Sequence, residues 1–148
     1  NLSASEGLEE GQKMGGLYFW DIDNQQLQEG ITGTFGLVAA ASPNGQFVAT
    51  YIDGYLRVWN TQDEAEILNI EVGETADTKD LAITNMGLIA NLDSEGKLTI
   101  WNLQGELLAT LETDEIRYDV AFAPNGDLLI VSYVDNNGSL VETWKVSE

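Results

Sequence analysis

Asp21-Ile22-Asp23 is the nearest this sequence comes to a paired-carboxylate site. If strand alternation runs through it, both carboxylates point to one face. Two oxygen donors of that kind do not complete a hard-cation site, which needs six or more oxygens. Asp135-Asn136-Asn137-Gly138 shares the polar, glycine-ended character of a calcium loop but lacks the spaced acids and the distal glutamate. A hairpin turn with a one- or two-residue extension accounts for it. Asn1-Leu2-Ser3 and Asn137-Gly138-Ser139 match the glycosylation acceptor pattern, which is common by chance. The chain has no histidine and no cysteine. Ser-His triads, histidine zinc sites, thiolate sites and disulfides are therefore excluded within it. No metal, no cofactor and no catalytic residue is expected.

The remaining candidates are for binding. The segment Glu6–Gly16, EGLEEGQKMGG, is acidic, glycine-rich and unlike the rest of the chain. Long loops on a rigid scaffold often carry recognition, so Glu6, Glu9, Glu10 and Lys13 form a candidate partner-binding loop; a mobile excursion without a partner is the alternative. Trp20, Trp59, Trp101 and Trp144 could be stacking platforms for a ligand. Their spacings of 39, 42 and 43 residues place one in each unit of a repeat, which favours structural positions packed between units. Arg57 and Arg117 are candidates for ion pairs with the surplus acids.

The formal net charge is −19, from 25 acidic and six basic residues. Such a field repels phosphate backbones and anionic lipid, so neither nucleic acid nor membrane is an expected partner. A solvated acidic surface, including one adapted to high salt, explains the charge without a partner; a basic partner is compatible with it. At 148 residues and 43% apolar composition the chain has the material for one ordinary domain. It contains no apolar run of about 18 residues and no basic-then-apolar leader in this numbering, and a cytoplasmic location is the expectation.

The elements that must position these residues are hairpins. In PNGQFVATYIDGYLRVWN (43–60), a Pro-Asn-Gly turn leads into an alternating strand, an Asp53-Gly54 turn and a second strand ending on Trp59. Asp-Gly between alternating apolar runs is a strong hairpin signal, because the tight turn requires positive φ. Both faces of both arms carry apolar side chains, which predicts sheets covered on both sides. Turn signals recur in step at Asn85-Met86-Gly87 and Pro124-Asn125-Gly126. Each tryptophan has an aliphatic residue three positions before it: Leu17, Leu56, Leu98 and Val141. A period of about 40–45 residues with four short strands is the pattern of a propeller blade.

LYFWD (17–21), LRVWN (56–60) and LTIWN (98–102) resemble the ends of the third blade strand in the WD40-repeat family. The resemblance covers nearly the whole chain and departs from the family in lacking every Gly-His dipeptide, so the family's His-Ser-Asp-Trp hydrogen-bond tetrad is incomplete in every blade. It implies an all-β, WD40-like β-propeller with four-stranded antiparallel blades, about three and a half of them. Naming blade strands a to d from the centre outward, Leu2–Ser5 is b, Leu17–Ile22 is c and Gln26–Ile31 is d. Complete blades follow over 35–72 and 79–112, with 1–31 and 115–148 as partial blades in a single domain over 1–148. The last blade reads a (Tyr118–Ala123), b (Leu128–Tyr133) and c (Leu140–Val146).

That order implies the C-terminal half of a longer propeller. The expected partner is a protein: the missing N-terminal half of the same propeller, favoured by strand order, or a second copy of the chain. The family resemblance implies a non-enzymatic protein–protein interaction scaffold. Alternatives are a sensor or regulatory domain of a larger multidomain protein, or a carboxylate-based hydrolase or metal-dependent propeller enzyme with acids from several blades converging on one channel.

Overall fold

Turn chemistry and strand alternation build thirteen strands and no helix among the described residues. The computed structural model describes residues 15–33, 38–73, 78–112, 116–135 and 137–146. The strands are β1 (Gly15–Asp21), β2 (Gln26–Gly33), β3 (Val38–Ala41), β4 (Phe47–Ile52), β5 (Tyr55–Asn60), β6 (Ala65–Glu71), β7 (Thr78–Ile83), β8 (Ile89–Asp93), β9 (Leu98–Trp101), β10 (Leu107–Leu111), β11 (Ile116–Phe122), β12 (Leu128–Asp135) and β13 (Gly138–Lys145). Each sheet is an antiparallel meander: β1–β2, β3–β6, β7–β10 and β11–β13. The chain divides into two units, Asn1–Phe35 and Gly36–Glu148.

In the first unit, β1 and β2 form a hairpin in the register Asp21↔Gln26 to Gly15↔Gly33, with an irregularity between Leu17 and Phe19. Asp21 ends its strand, and Asp23 lies in the following turn. Alternation stops there, so the expected shared face for the two carboxylates does not form. Asp21 instead caps its own turn: Oδ1 accepts from the Asn24 amide at 3.0 Å and Oδ2 from Asn24 Nδ2 at 2.8 Å. The first two residues of β1, Gly15 and Gly16, belong to the strand rather than to the preceding loop. The expected strand Leu2–Ser5 lies outside the described residues.

In the second unit the turns follow the sequence signals. Ile52 pairs with Tyr55 across Asp53-Gly54, whose φ values of 50° and 86° are those of a type I′ hairpin turn. Glycine at the second position adopts this without a Cβ clash. The turns before β4, β8 and β12 are closed alike, by Gly45 N to Ser42 O, Gly87 N to Thr84 O and Gly126 N to Ala123 O, at 2.8 to 3.1 Å.

Stacking then follows from alternation. Phe47, Ala49 and Tyr51 on β4, Leu56 and Val58 on β5, and Leu68 on β6 share one face and pack on Leu81, Ile83 and Ile89 of the next sheet. The other face of that next sheet, with Ala82, Ala90, Leu92, Leu98 and Ile100, packs on Val120, Leu129 and Val131. Leu56, Ile89, Leu92, Leu98 and Val131 are fully enclosed. Each such aliphatic side chain contributes about 1.5–3 kcal/mol of burial relative to exposure. Sheets stacked face to face, each built of successive strands, are the propeller arrangement.

Polar ties cross between the sheets one repeat apart. The Asn44 amide donates to Asn85 Oδ1 at 2.9 Å, and the Val120 amide to Asp80 Oδ2 at 2.8 Å. Lys79 lies 4.1 Å from the Tyr118 ring centroid and donates to Arg117 O at 2.8 Å. β11 begins before the expected Tyr118 and β7 one residue before the expected blade bound of 79, and each extension carries a buried polar residue. Thr78 is buried and donates to Asn91 Oδ1 at 2.7 Å. Arg117 is buried and bonded to Glu142 Oε1 and to the carbonyls of Gly96 and Leu111. Buried polar residues with partners look like loop in a sequence and are strand in the structure.

Candidate interaction surface

The four tryptophans sit on β1, β5, β9 and β13, across from Leu27, Val48, Ile89 and Leu129 respectively. Their environments differ. Trp59 is buried at 9% exposure, and Trp101 is partly buried against the core that Ile89 joins. Trp101 Nε1 donates to Thr99 Oγ1 at 3.0 Å. Trp20 is 60% exposed and Trp144 41% exposed. Glu6, Glu9, Glu10 and Lys13 lie outside the described residues. Asp135 pairs with Gly138 as the last rung of the β12–β13 hairpin, so that motif is a turn; Asn136 is outside the described residues. Arg57 Nη1 stands 3.6 Å from Glu66 Oε2. Among the described residues, no three acidic side chains converge as a metal-binding group.

The apolar surface the sequence did not single out lies at the outer strands of the last two sheets. β5 and β6 pair Val58 with Leu68 and Leu56 with Ile70; the equivalent rungs in the next sheet pair Ile100 with Ala109 and Leu98 with Leu111. Leu68 is buried, because the turn before β10 sits on it: a Cβ on Gly105 would stand 3.1 Å from Ile70 Cγ2 and 3.5 Å from Leu68 Cδ1. β10 has no such cover among the described residues: Leu108 and Ala109 are exposed on this side, while Leu107, also exposed, lies on the face of Trp101. Among the described residues, β11–β13 has three strands where the two sheets before it have four.

A groove of about 580 Å³ opens at this place, lined by Met86, Ile100, Leu108, Leu111, Leu129 and Trp144, among others. Beside it, β13 pairs only with β12 among the described residues. Its second edge therefore presents backbone N–H and C=O groups in a strand that carries Leu140, Val141 and Trp144 as exposed apolar side chains. A row of open backbone groups next to an apolar trough has the chemistry that accepts a further antiparallel strand. The signal present in the sequence is slight: Leu107 stands opposite Trp101 where Glu66 stands opposite Trp59, and both outer strands carry an adjacent apolar pair, Leu107-Leu108 and Ile67-Leu68.

No family model matches the sequence, and no curated protein matches it. Among solved structures, a chain in the crystal structure of the mitotic checkpoint complex is similar, with a TM-score of 0.69 at 15% identity over 89% of this chain. The chain spans 41% of the length of that one. At this identity the likeness shows the fold: a β-propeller arrangement of stacked antiparallel sheets.

Proposed function

We propose that this chain is part of a WD40-like propeller that serves as a non-enzymatic protein-interaction scaffold, with its own ring as the first partner. In this reading residues 35–72 and 79–112 are complete blades, and 1–31 and 115–148 are partial ones in a single domain. The open edge of β13 and the adjoining apolar groove take a fourth strand from the remaining, N-terminal portion of the same propeller. One observation carries the reading: Leu68 is covered and its counterpart Ala109, with Leu108 beside it, is bare on the face of β10 toward the next sheet, β11–β13, which has three strands among the described residues. A strand paired to β13 would close the backbone edge and cover β10 in one step. The similar chain comes from a multiprotein complex, which fits a scaffold role. Asp21 and Asp93 serve turns and Glu142 an ion pair, structural uses that fit a scaffold.

Light scattering coupled to size exclusion on the purified chain tests it. The expected result is association: with the remaining portion of the propeller when the two are coexpressed, and loss of that association on Leu108→Glu. A stable, cooperatively unfolding monomer indifferent to coexpression refutes the proposal. A homodimer that ignores the other portion assigns the strand to a second copy instead.

A further inference from the structure

The opposite face of the β7–β10 sheet holds a second groove, of about 450 Å³, between that sheet and β3–β6. Its character is polar. Tyr51, Asn91, Asp93, Glu95, Trp101 and Glu112 line it. We propose that this groove binds a lysine or arginine side chain of a partner protein together with the adjoining peptide carbonyl.

Asn91 interrupts the apolar strand IANLD on the face that Ile89 places in the core, and it is 6% exposed. A primary amide there carries a desolvation cost unless its groups are bonded. Thr78 Oγ1 donates to Asn91 Oδ1 at 2.7 Å, and the main-chain carbonyl accepts from Thr99 Oγ1 at 3.4 Å. The Thr78 bond fixes the amide oxygen; Asn91 lines the groove, and its Nδ2 has no hydrogen-bond partner among the described residues. A fixed donor in a trough of this size calls for an acceptor from outside, and a peptide carbonyl is one.

The charge around it selects the rest of the ligand. Among the described residues three carboxylates and one cation line the groove, and that cation, Lys97, is 3.4 Å from Glu112. Asp93 Oδ1 is held by the amides of Glu95 and Lys97, both at 2.9 Å, which anchors that carboxylate at the mouth. An excess of two negative charges remains for a guest. A metal ion is not the fit, since no three acids converge among the described residues. An extended organic cation reaches the separate carboxylates and brings a methylene stem for the aromatic walls, Tyr51 and Trp101. The Trp101–Thr99 bond keeps that indole in place. A groove of this volume is within the range of small-ligand sites and accommodates one long side chain with its backbone.

The test uses blocked peptides acetyl-Gly-Gly-X-Gly-Gly-amide, with X lysine, arginine, norleucine or glutamate. They are titrated into the full 148-residue chain, in the assembly it forms, and followed by ¹⁵N–¹H correlation spectra. Trp101→Phe assigns the indole signal. The lysine and arginine peptides should shift the Trp101 indole and Asn91 amide signals and bind about fivefold or more tightly than norleucine. Glu95→Gln and Glu112→Gln, at exposed positions, should each weaken binding about two- to fivefold, and added salt should weaken it further. Equal binding of lysine and norleucine, shifts confined to other residues, no binding, or indifference to both substitutions overturns the proposal. Leu108→Glu lies on the other side of the sheet and should leave peptide binding unchanged, so this result and that for the β13 edge are independent.

Discussion

Arg117→Ala should destabilise the Gly36–Glu148 unit by about 3–5 kcal/mol, the range for removing one partner of a buried ion pair. The guanidinium is 4% exposed and places four donor contacts on three acceptors. Nη1 donates to Leu111 O at 2.8 Å and to Gly96 O at 3.1 Å; Nη2 and Nε donate to Glu142 Oε1 at 3.0 and 3.2 Å. A hydrogen bond with a charged partner contributes about 1.5–3 kcal/mol. The two carbonyl bonds alone, at the low end because they share one nitrogen, come to about 3 kcal/mol. The Glu142 pair adds less, since that side chain is 25% exposed and water replaces part of what it loses. The carbonyls belong to the β7–β10 sheet and Arg117 to β11, so the loss also unties two sheets. Urea unfolding followed by tryptophan fluorescence measures it, with an unchanged slope as the sign that only stability moved. Glu142→Gln keeps the accepting oxygen and should cost about 1 kcal/mol. Arg117→Lys keeps the charge but not the fork and should fall between the two. An Arg117→Ala loss below about 1 kcal/mol, the level of an ordinary surface change, would refute the reasoning. Glu142→Gln as costly as Arg117→Ala would place the energy in the pair and not in the carbonyls.

Trp59→Ala should cost about 3–5 kcal/mol, as large aromatic truncations in a core do, and more than Trp101→Ala, whose ring is only partly buried; chemical denaturation that reverses this order would contradict the assigned burial. Gly87→Ala combines a φ of 80° with a Cβ driven into Leu103 Cγ and Cδ1, whereas Gly45→Ala, at φ 72°, meets open space. The second should cost about 1–2 kcal/mol from backbone strain alone and the first clearly more; equal shifts in the urea midpoint would show that Leu103 moves aside freely.

Much of the fold was legible because its signals are local. A type I′ turn depends on Asp53-Gly54 and the residues flanking them, and β-strand alternation on the nearest neighbours along the chain. The repeat of about 40–45 residues exposed the propeller pattern, and the strand order within each sheet followed from it. Asp21-Ile22-Asp23 misled because alternation was carried one turn too far: the strand ends at Asp21, whose carboxylate caps the turn. Thr78 and Arg117 were passed over as strand residues because burial of a polar side chain depends on partners elsewhere in the sequence.

By itself, then, the sequence determined most of the described strands and their turns, which rest on interactions a few residues long. Tertiary structure decided which of those strands remain uncovered and which polar groups are enclosed. Leu68 and Ala109 occupy equivalent rungs, yet only the neighbouring sheet makes the first core and leaves the second bare. Asn91 reads as a lapse in an apolar strand until Thr78, 13 residues away, fixes its oxygen at the side of a groove that Asn91 lines. The ties that stack the sheets, Val120 to Asp80 and Asn44 to Asn85, join residues 40 and 41 positions apart. Contacts at that separation exist only after the chain has folded back on itself, and no local preference encodes them.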